Sequence, residues 1–315
     1  MAWVVGIDEA GYGPNLGPMV QSAVAIRVAK PKADLWHILR TVARRAAEDD
    51  DGRLAIDDSK AVYQGPGGLN RLEEGVLAAF PSVWAMSLHP WLQCACVTGA
   101  DDLAAESWFD PTFDLPLVLE ADAVQQSINR WTAAVSEAGI QVAPPCCAVT
   151  PTQRFNEVVN SHGTKGAATG RGIISLVAAW YARADGEPLH FTIDKLGGRN
   201  TYAAMISAAL PEGWVHVVTE SADLSEYRVE GLKVPVHIVV KPRAESDQMP
   251  VALASMLSKY LREVFMRQFN CYWLKLVPDL KPTAGYPGDS RRFYEAIHPM
   301  CQQLGMAKDA VWRER

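Results

Sequence analysis

Long apolar runs are missing from this 315-residue chain. None approaches the roughly 20 residues that a bilayer-crossing helix needs, which excludes such a span. A basic leader with an apolar stretch and a small-residue cleavage site is missing too, so a cytoplasmic setting is expected. Cysteine is sparse: Cys94, Cys96, Cys146, Cys147, Cys271 and Cys301 lack Cys-x-x-Cys spacing. That argues against a zinc site or a disulfide framework and for reduced cysteines in the core. Positive charge is in deficit, with 30 Lys and Arg against 36 Asp and Glu and a formal net charge of −6. A basic coat over the whole surface is excluded, while a local basic groove is not. There is no Gly-x-Ser-x-Gly elbow and no His-Glu-x-x-His helix, and Gly163-Thr164-Lys165-Gly166 lacks the spacing of a Walker loop. Internal repeats and low-complexity segments are also absent.

About half of the residues are apolar, enough to bury a large core in one big domain or two small ones. Strand and helix signals alternate. Strands are expected at 3–7, 19–28, 83–88, 140–149, 189–193, 214–219 and 234–240. Helices are expected at 34–46, with Asp34 as cap and Leu35, Ile38, Leu39 and Val42 on one side, and at 69–80, 123–137, 151–159, 173–183 and 251–267. Residues 89–125 mix Trp, Cys, Pro and acids without a steady period, as an insert or lid would. From residue 268 the tail reads as a loop and then a helix. The pattern is that of an α/β fold, a mixed sheet flanked by helices.

The most informative stretch is Gly6-Ile7-Asp8-Glu9-Ala10-Gly11-Tyr12-Gly13-Pro14-Asn15-Leu16-Gly17-Pro18. Two carboxylates end an apolar strand directly before a glycine-rich loop. Successive strand side chains point to opposite faces, so Asp8 and Glu9 serve one metal only if the strand ends or bends there. The glycines allow that bend and a close backbone approach to a phosphate. An isolated Asp-Glu pair is also what a strand-to-turn junction with two solvated acids looks like.

This stretch resembles the opening motif of the type II ribonucleases H (ribonuclease HII), Asp-Glu-Ala-Gly-Arg-Gly-Pro followed by Gly-Pro, except that Tyr12 stands where the family has a basic residue. Further similarities follow in order along the chain. Asp57-Asp58-Ser59-Lys60 is similar to the family's Asp-Ser-Lys segment. Asp194, at the end of a strand, resembles its mid-chain aspartate, although Lys195 follows where the family has glycine. An acid beyond the carboxyl end of a strand also sits where open α/β sheets gather their sites. Residues 254–263 resemble the family helix Ala-Ser-Ile-Leu-Ala-Lys-Val-Thr-Arg-Asp. Counting back from Ser255 puts Glu245 in the place of the last family aspartate, with Asp247 as the second choice. On that helix Ser255, Lys259 and Arg262 share a polar face, which is either solvated or set against a nucleic-acid backbone. Gly285-Tyr286-Pro287 looks like the family's Gly-Tyr segment, whose tyrosine stacks on a sugar; alternatively Tyr286 is a turn aromatic. Residues 312–315 resemble the family's basic close.

The resemblance implies an RNase H-like mixed β-sheet with helices on both faces. The catalytic core would be residues 1–88 and 140–267, with 89–139 an insertion or lid and 268–315 a C-terminal extension. It also implies a monomeric two-metal endonuclease that hydrolyses the RNA strand of RNA–DNA hybrids or cuts at embedded ribonucleotides. Asp8, Glu9, Asp194 and Glu245 would be the catalytic ligands of two Mg²⁺ or Mn²⁺ ions, with Asp247 as the alternative. Gly11, Tyr12, Gly13, Ser59, Lys60, Lys195, Ser255, Lys259 and Tyr286 would contact substrate. Clustered carboxylates repel one another, and hard cations with oxygen ligands relieve that repulsion. Two other functions fit the same residues: a non-catalytic nucleic-acid-binding protein on this scaffold, and a metal-dependent phosphohydrolase acting on a small phosphoester.

Overall fold

The structure is a computed structural model and describes residues 1–314. Strand β1 (Ala2–Ala10) pairs antiparallel with β2 (Met19–Val28) in unbroken register from Ala2↔Val28 to Ala10↔Val20. Asp34 caps a helix as expected, accepting from the His37 N–H at 3.1 Å. The expected helix over 34–46 nevertheless stops after one turn, α1 (Leu35–Ile38). The chain then extends into β3 (Ala43–Arg44), which pairs in parallel with β4 (Leu54–Ala55). Leu35, Leu39 and Val42 are buried all the same; their helical spacing is met by a turn and an extended segment entering one core.

Next come α2 (Ser59–Tyr63), α3 (Gly68–Ala79), α4 (Pro81–Ala85) and α5 (Leu88–Ala95). The strand expected at 83–88 is therefore not formed. Pro81 at the first turn of α4 sets a helical φ and gives up an N–H that needs no partner there. The stretch without a steady period contains β5 (Cys96–Thr98) and α6 (Ala100–Ala104) before α7 (Ala121–Glu137). The strand expected over 140–149 is split by Pro144 and Pro145 into β6 (Gln141–Val142) and β7 (Cys146–Thr150), since proline cannot donate to a ladder.

Helices α8 (Thr152–His162) and α9 (Lys165–Ala182) lead into β8 (Leu189–Asp194). Helix α10 (Ala203–Ala209) precedes β9 (Trp214–Glu220), β10 (Ser225–Glu230) and β11 (Val236–Lys241). A 3₁₀ turn (Ala244–Ser246) introduces α11 (Met249–Leu276), which is followed by α12 (Pro287–Gln303) and α13 (Lys308–Val311).

The main sheet has the order β5-β7-β2-β1-β8-β11-β10-β9, with β6 on β2. Strands β1, β8 and β11 are parallel neighbours, β2 pairs antiparallel with β1 and β7, β10 antiparallel with β11 and β9, and the edge strand β5 parallel with β7. The mixed sheet flanked by helices is thus what forms. Alternation along β1 assigns its faces: Val4 points to the core under α3, α7 and α11, while Trp3, Val5 and Ile7 point to the core under α9 and α10. The first core extends through Phe293, Ile297 and Val311, so the C-terminal helices are continuous with it.

Within it Glu73 is fully buried. Its carboxylate accepts from the N–H groups of Leu117, Val118 and Leu119 and from the Tyr260 hydroxyl, which satisfies a charge that water does not reach. The six cysteines are free, but Cys94 and Cys271 are exposed, which corrects the expectation that all lie in the core. They sit on the outward sides of α5 and α11. No helix among the described residues is long and apolar enough to cross a membrane.

Gly6 lets α11 lie directly on β1. A Cβ there would meet the Val251 nitrogen at 2.1 Å and the Pro250 carbonyl carbon at 2.2 Å. Gly6→Ala must push the helix start off the sheet, and should lower unfolding free energy by about 3 kcal/mol with an unchanged denaturant m-value in urea titration.

Candidate active site

Three adjacent parallel strands deliver three acids to one end of the sheet. In register Ile7 faces Ile193 and Asp194 faces Lys241. Asp8 therefore follows directly beside Asp194, about one strand spacing of 4.8 Å away along the sheet. Beyond β11 the 3₁₀ turn supplies Glu245. Strand β1 does not end at the acids but runs on to Ala10, with Glu9 opposite Gln21.

The backbone and α11 hold these groups. Asp8 Oδ1 accepts from the Glu9 N–H at 2.7 Å, and Ser258 Oγ donates to the Asp8 carbonyl at 3.1 Å. The Ser255 hydroxyl acts on the Asp8 carboxyl, and Ser59 Oγ lies 3.0 Å from that hydroxyl. Asp194 Oδ1 accepts from the Ala244 N–H at 3.1 Å. Glu245 Oε2 is buried with no hydrogen-bond partner among the described residues.

Burial, and then the charges of Glu9 and Asp194, push the Asp8 carboxyl well above the usual carboxylate range, against the pull of Ser255. Burial and then the Asp194 charge raise Glu9 to about 7, with Lys60 acting in the opposite sense. Asp194 is raised by burial, partly offset by the Ala244 and Lys195 N–H groups and by Lys60. Glu245 is raised to about 7 by burial and by the charges of Asp194 and Asp58. For Asp8, Glu9 and Glu245 a neighbouring carboxylate charge adds to desolvation, while Asp194 is raised by burial alone.

Among the described residues, no three His, Cys, Asp or Glu side chains already converge as ligands of one ion. The four carboxylates share an electrostatic neighbourhood without a finished ligand geometry. The donor chemistry fits a hard divalent cation: all oxygen, anionic, partly withdrawn from water, with one orphaned oxygen on Glu245.

The glycine loop beside the acids is held rigid from below. Gly11 has φ +93°, and a Cβ there would meet the Pro18 carbonyl oxygen at 2.9 Å. Arg262 donates to the Leu16 carbonyl at 3.1 Å, to the Ala284 carbonyl at 3.0 Å and to the Pro18 carbonyl. Arg313 donates to the Pro14 carbonyl, and Asn15 N donates to Gly285 O at 2.8 Å. Burial lowers the Arg262 guanidinium to about 10 and moves Arg313 in the same direction. Tyr12 rides on this loop half-exposed, and Gly13 faces open space.

The remaining sequence-derived residues divide. Lys60 is exposed beside the acids. Ser59 and Ser255 are buried and form the support just described, not a surface that a nucleic acid can touch. Arg262 is 2% exposed and binds carbonyls, so the polar face of α11 is neither solvated nor free for a phosphate. Lys259 is paired with Glu263, its amine 4.3 Å from the Tyr63 ring centroid. Lys195 turns away to Asn200 Oδ1 at 2.7 Å and to the Ala222 carbonyl. Asp247 is exposed and paired with Lys241, outside the cluster that Glu245 joins. Tyr286 is 48% exposed at the start of α12. Of the basic close, Arg313 is buried against the glycine loop and Arg315 lies outside the described residues. Sequence reasoning misses the loop-holding role of both arginines, because their partners are carbonyls, which every sequence supplies everywhere.

No family model matches the chain. Among curated proteins, a ribonuclease HII of Verminephrobacter eiseniae is 31% identical over 132 residues, 40% of this chain and 58% of that protein's own length. Among solved structures, the ribonuclease H2 of Pyrococcus horikoshii is 14% identical with a TM-score of 0.49, covering 98% of this chain and 92% of that one. Bst-RNase HIII in complex with Mn²⁺ is 18% identical with a TM-score of 0.41, covering 99% of this chain and 66% of that one. At these scores neither superposition assigns a role to a residue. The resemblance to ribonuclease HII is thus met again in a curated relative, over part of each chain.

The raised carboxylates have a consequence for stability. A carboxylate whose pKa is higher in the folded state weakens folding once pH exceeds its unfolded value, and the loss is complete above its folded value. For Glu9 this window runs from 4.5 to about 7. Without divalent cations, Glu9→Gln should match wild type near the lower limit and exceed it by roughly 1–3 kcal/mol at the top of the window, measured by urea unfolding across pH. Millimolar Mn²⁺ should raise the wild-type melting temperature and leave that of Asp8→Asn nearly unchanged.

Proposed function

We propose that this chain is a divalent-metal-dependent endoribonuclease of the ribonuclease HII type, hydrolysing the RNA strand of RNA–DNA hybrids. The observation that carries the reading is the set of raised carboxylates at the ends of three adjacent parallel strands, next to a glycine loop with an accessible backbone. Structural acids seldom take such positions unpaired, because desolvation and repulsion both oppose folding.

Asp8, Glu9, Asp194 and Glu245 would hold one or two Mg²⁺ or Mn²⁺ ions. Bound there, these ions supply Lewis acidity for in-line displacement at a phosphodiester. The protein's own groups prepare the site. Ser255 and the Glu9 N–H fix the Asp8 carboxylate, and the Ala244 N–H fixes that of Asp194. Lys60 places a positive charge beside Glu9 and Asp194, where a phosphate would also meet it. Asp247 is engaged by Lys241 and takes no part. Selectivity for RNA requires contact with a 2′-OH. The exposed backbone at Gly13 supplies an approach without side chains, and Tyr12 adds a hydroxyl and a ring in place of a positive charge. Recognition of a single embedded ribonucleotide is accordingly weaker than recognition of a longer RNA tract.

Cleavage of an end-labelled RNA–DNA hybrid with Mn²⁺ tests the assignment. Asp8→Asn should lower kcat by at least about 100-fold, and equal rates for the two proteins end the proposal. Tyr12→Arg should raise the rate on a duplex with one embedded ribonucleotide relative to a hybrid tract; an unchanged ratio removes Tyr12 from substrate choice.

A further inference from the structure

Helix α11 covers β1 and β2 on one face of the sheet and only touches β8, and among the described residues no helix lies over the same face of β11 and β10. A groove of about 910 Å³ opens there. Its floor is made by the residues that alternate with the core positions of these strands: His190 and Thr192 on β8, His237 and Val239 on β11, Glu226 and Arg228 on β10. Lys30 and Lys32, between β2 and α1, form one rim.

The charges in the groove are sorted. Glu226 faces His237 Nε2 at 2.8 Å, Glu230 faces His216 Nε2 at 3.3 Å, and Lys241 is paired with Asp247. The His190 and His237 rings stack edge to face with centroids 5.7 Å apart. Lys30, Lys32 and Arg228 are exposed and have no side-chain ion pair or hydrogen bond among the described residues. The groove's two carboxylates, Glu226 and Glu230, are held by histidine rings, and its free cations are Lys30, Lys32 and Arg228. The lining also carries Val4, Phe191, Val229, Val236 and Val239, and it is the free cations at the edges that suit a polyanion lying across the groove.

The groove also reaches the level of the candidate active site, since Lys241, which lines it, is the register partner of Asp194. Asp194, Thr192 and His190 lie on one face of β8, so the floor runs from the carboxylates for about 13 Å along the strand. That length matches the rise of about four nucleotides of one strand in a duplex. We infer that this groove is a track for the phosphodiester backbone of the nucleic acid cut at the strand ends, holding it with Arg228 about four nucleotides and with Lys30 and Lys32 about six nucleotides to one side of the scissile bond. The inference rests on the nuclease reading for its direction and on the groove's own charges for its ligand.

Binding of an end-labelled RNA–DNA hybrid, followed by fluorescence anisotropy in EDTA over a salt series, tests the track separately from cleavage. The double variant Lys30→Glu/Lys32→Glu and the variant Arg228→Glu, with wild-type melting temperatures, should each weaken binding at least about 5-fold at low salt. Combined, they should flatten the slope of log affinity against log salt by about 2 to 3. Hybrids shortened by four pairs on one side should lose affinity for wild type but not for the combined variant. Unchanged affinity and slope overturn the track. So does a groove that a nucleoside monophosphate occupies while hybrid binding ignores the substitutions. A wild type that binds hybrid through these residues but cleaves nothing sinks the nuclease reading alone. Normal cleavage with charge variants indistinguishable in binding sinks the track alone.

Discussion

Like charges forced together by strand register are the constraint around which this molecule is arranged. Because β1 and β8 are parallel neighbours paired through Ile7 and Ile193, the next residues, Asp8 and Asp194, must lie side by side. Because β11 pairs in parallel with the other edge of β8, the turn after it returns Glu245 to the same place. The hydrophobic pattern of the strands fixes that register, since a slip by one residue would turn Val5, Ile7, Phe191 and Ile193 out of their core. The apolar energy of the sheet thus holds the acids in an arrangement their electrostatics oppose.

A second constraint acts on the glycine loop. Flexible loops make poor templates for a phosphodiester, because ordering them on binding costs entropy. Here the cost is met in folding: Arg262 and Arg313 turn buried guanidinium groups to the Pro14, Leu16, Pro18 and Ala284 carbonyls. A guanidinium is a planar fork of several donors, so Arg262 alone satisfies three backbone acceptors that would otherwise stay orphaned, and Arg313 adds the Pro14 carbonyl. The loop presents its outer surface while its inner surface is saturated.

The sequence was legible where chemistry and local pattern coincide. Asp8 and Glu9 are contiguous, and the apolar run before them with the glycines behind them marks a strand edge. Asp194 closes an apolar run in the same way. Glu245 could be reached only by counting back from the helix residue Ser255. Strand β10 was missed because Ser-Glu-Tyr-Arg-Val-Glu alternates charged residues with only three that are buried, the pattern of a strand with one bare face. The helix expected over 34–46 failed for the opposite reason: its apolar spacing was right for a helix, yet pairing of Ala43 and Arg44 with Leu54 and Ala55 drew the chain out. The arginines under the loop gave no local signal at all, since their partners lie in distant parts of the chain.

Glu73 grips the N–H groups of three successive residues and touches none of their side chains. A clasp of that kind reads no letters. Val118, 40% exposed, is therefore free to be replaced, whereas Leu117 and Leu119 stay tied to the core they pack against and Glu73 to the clasp itself.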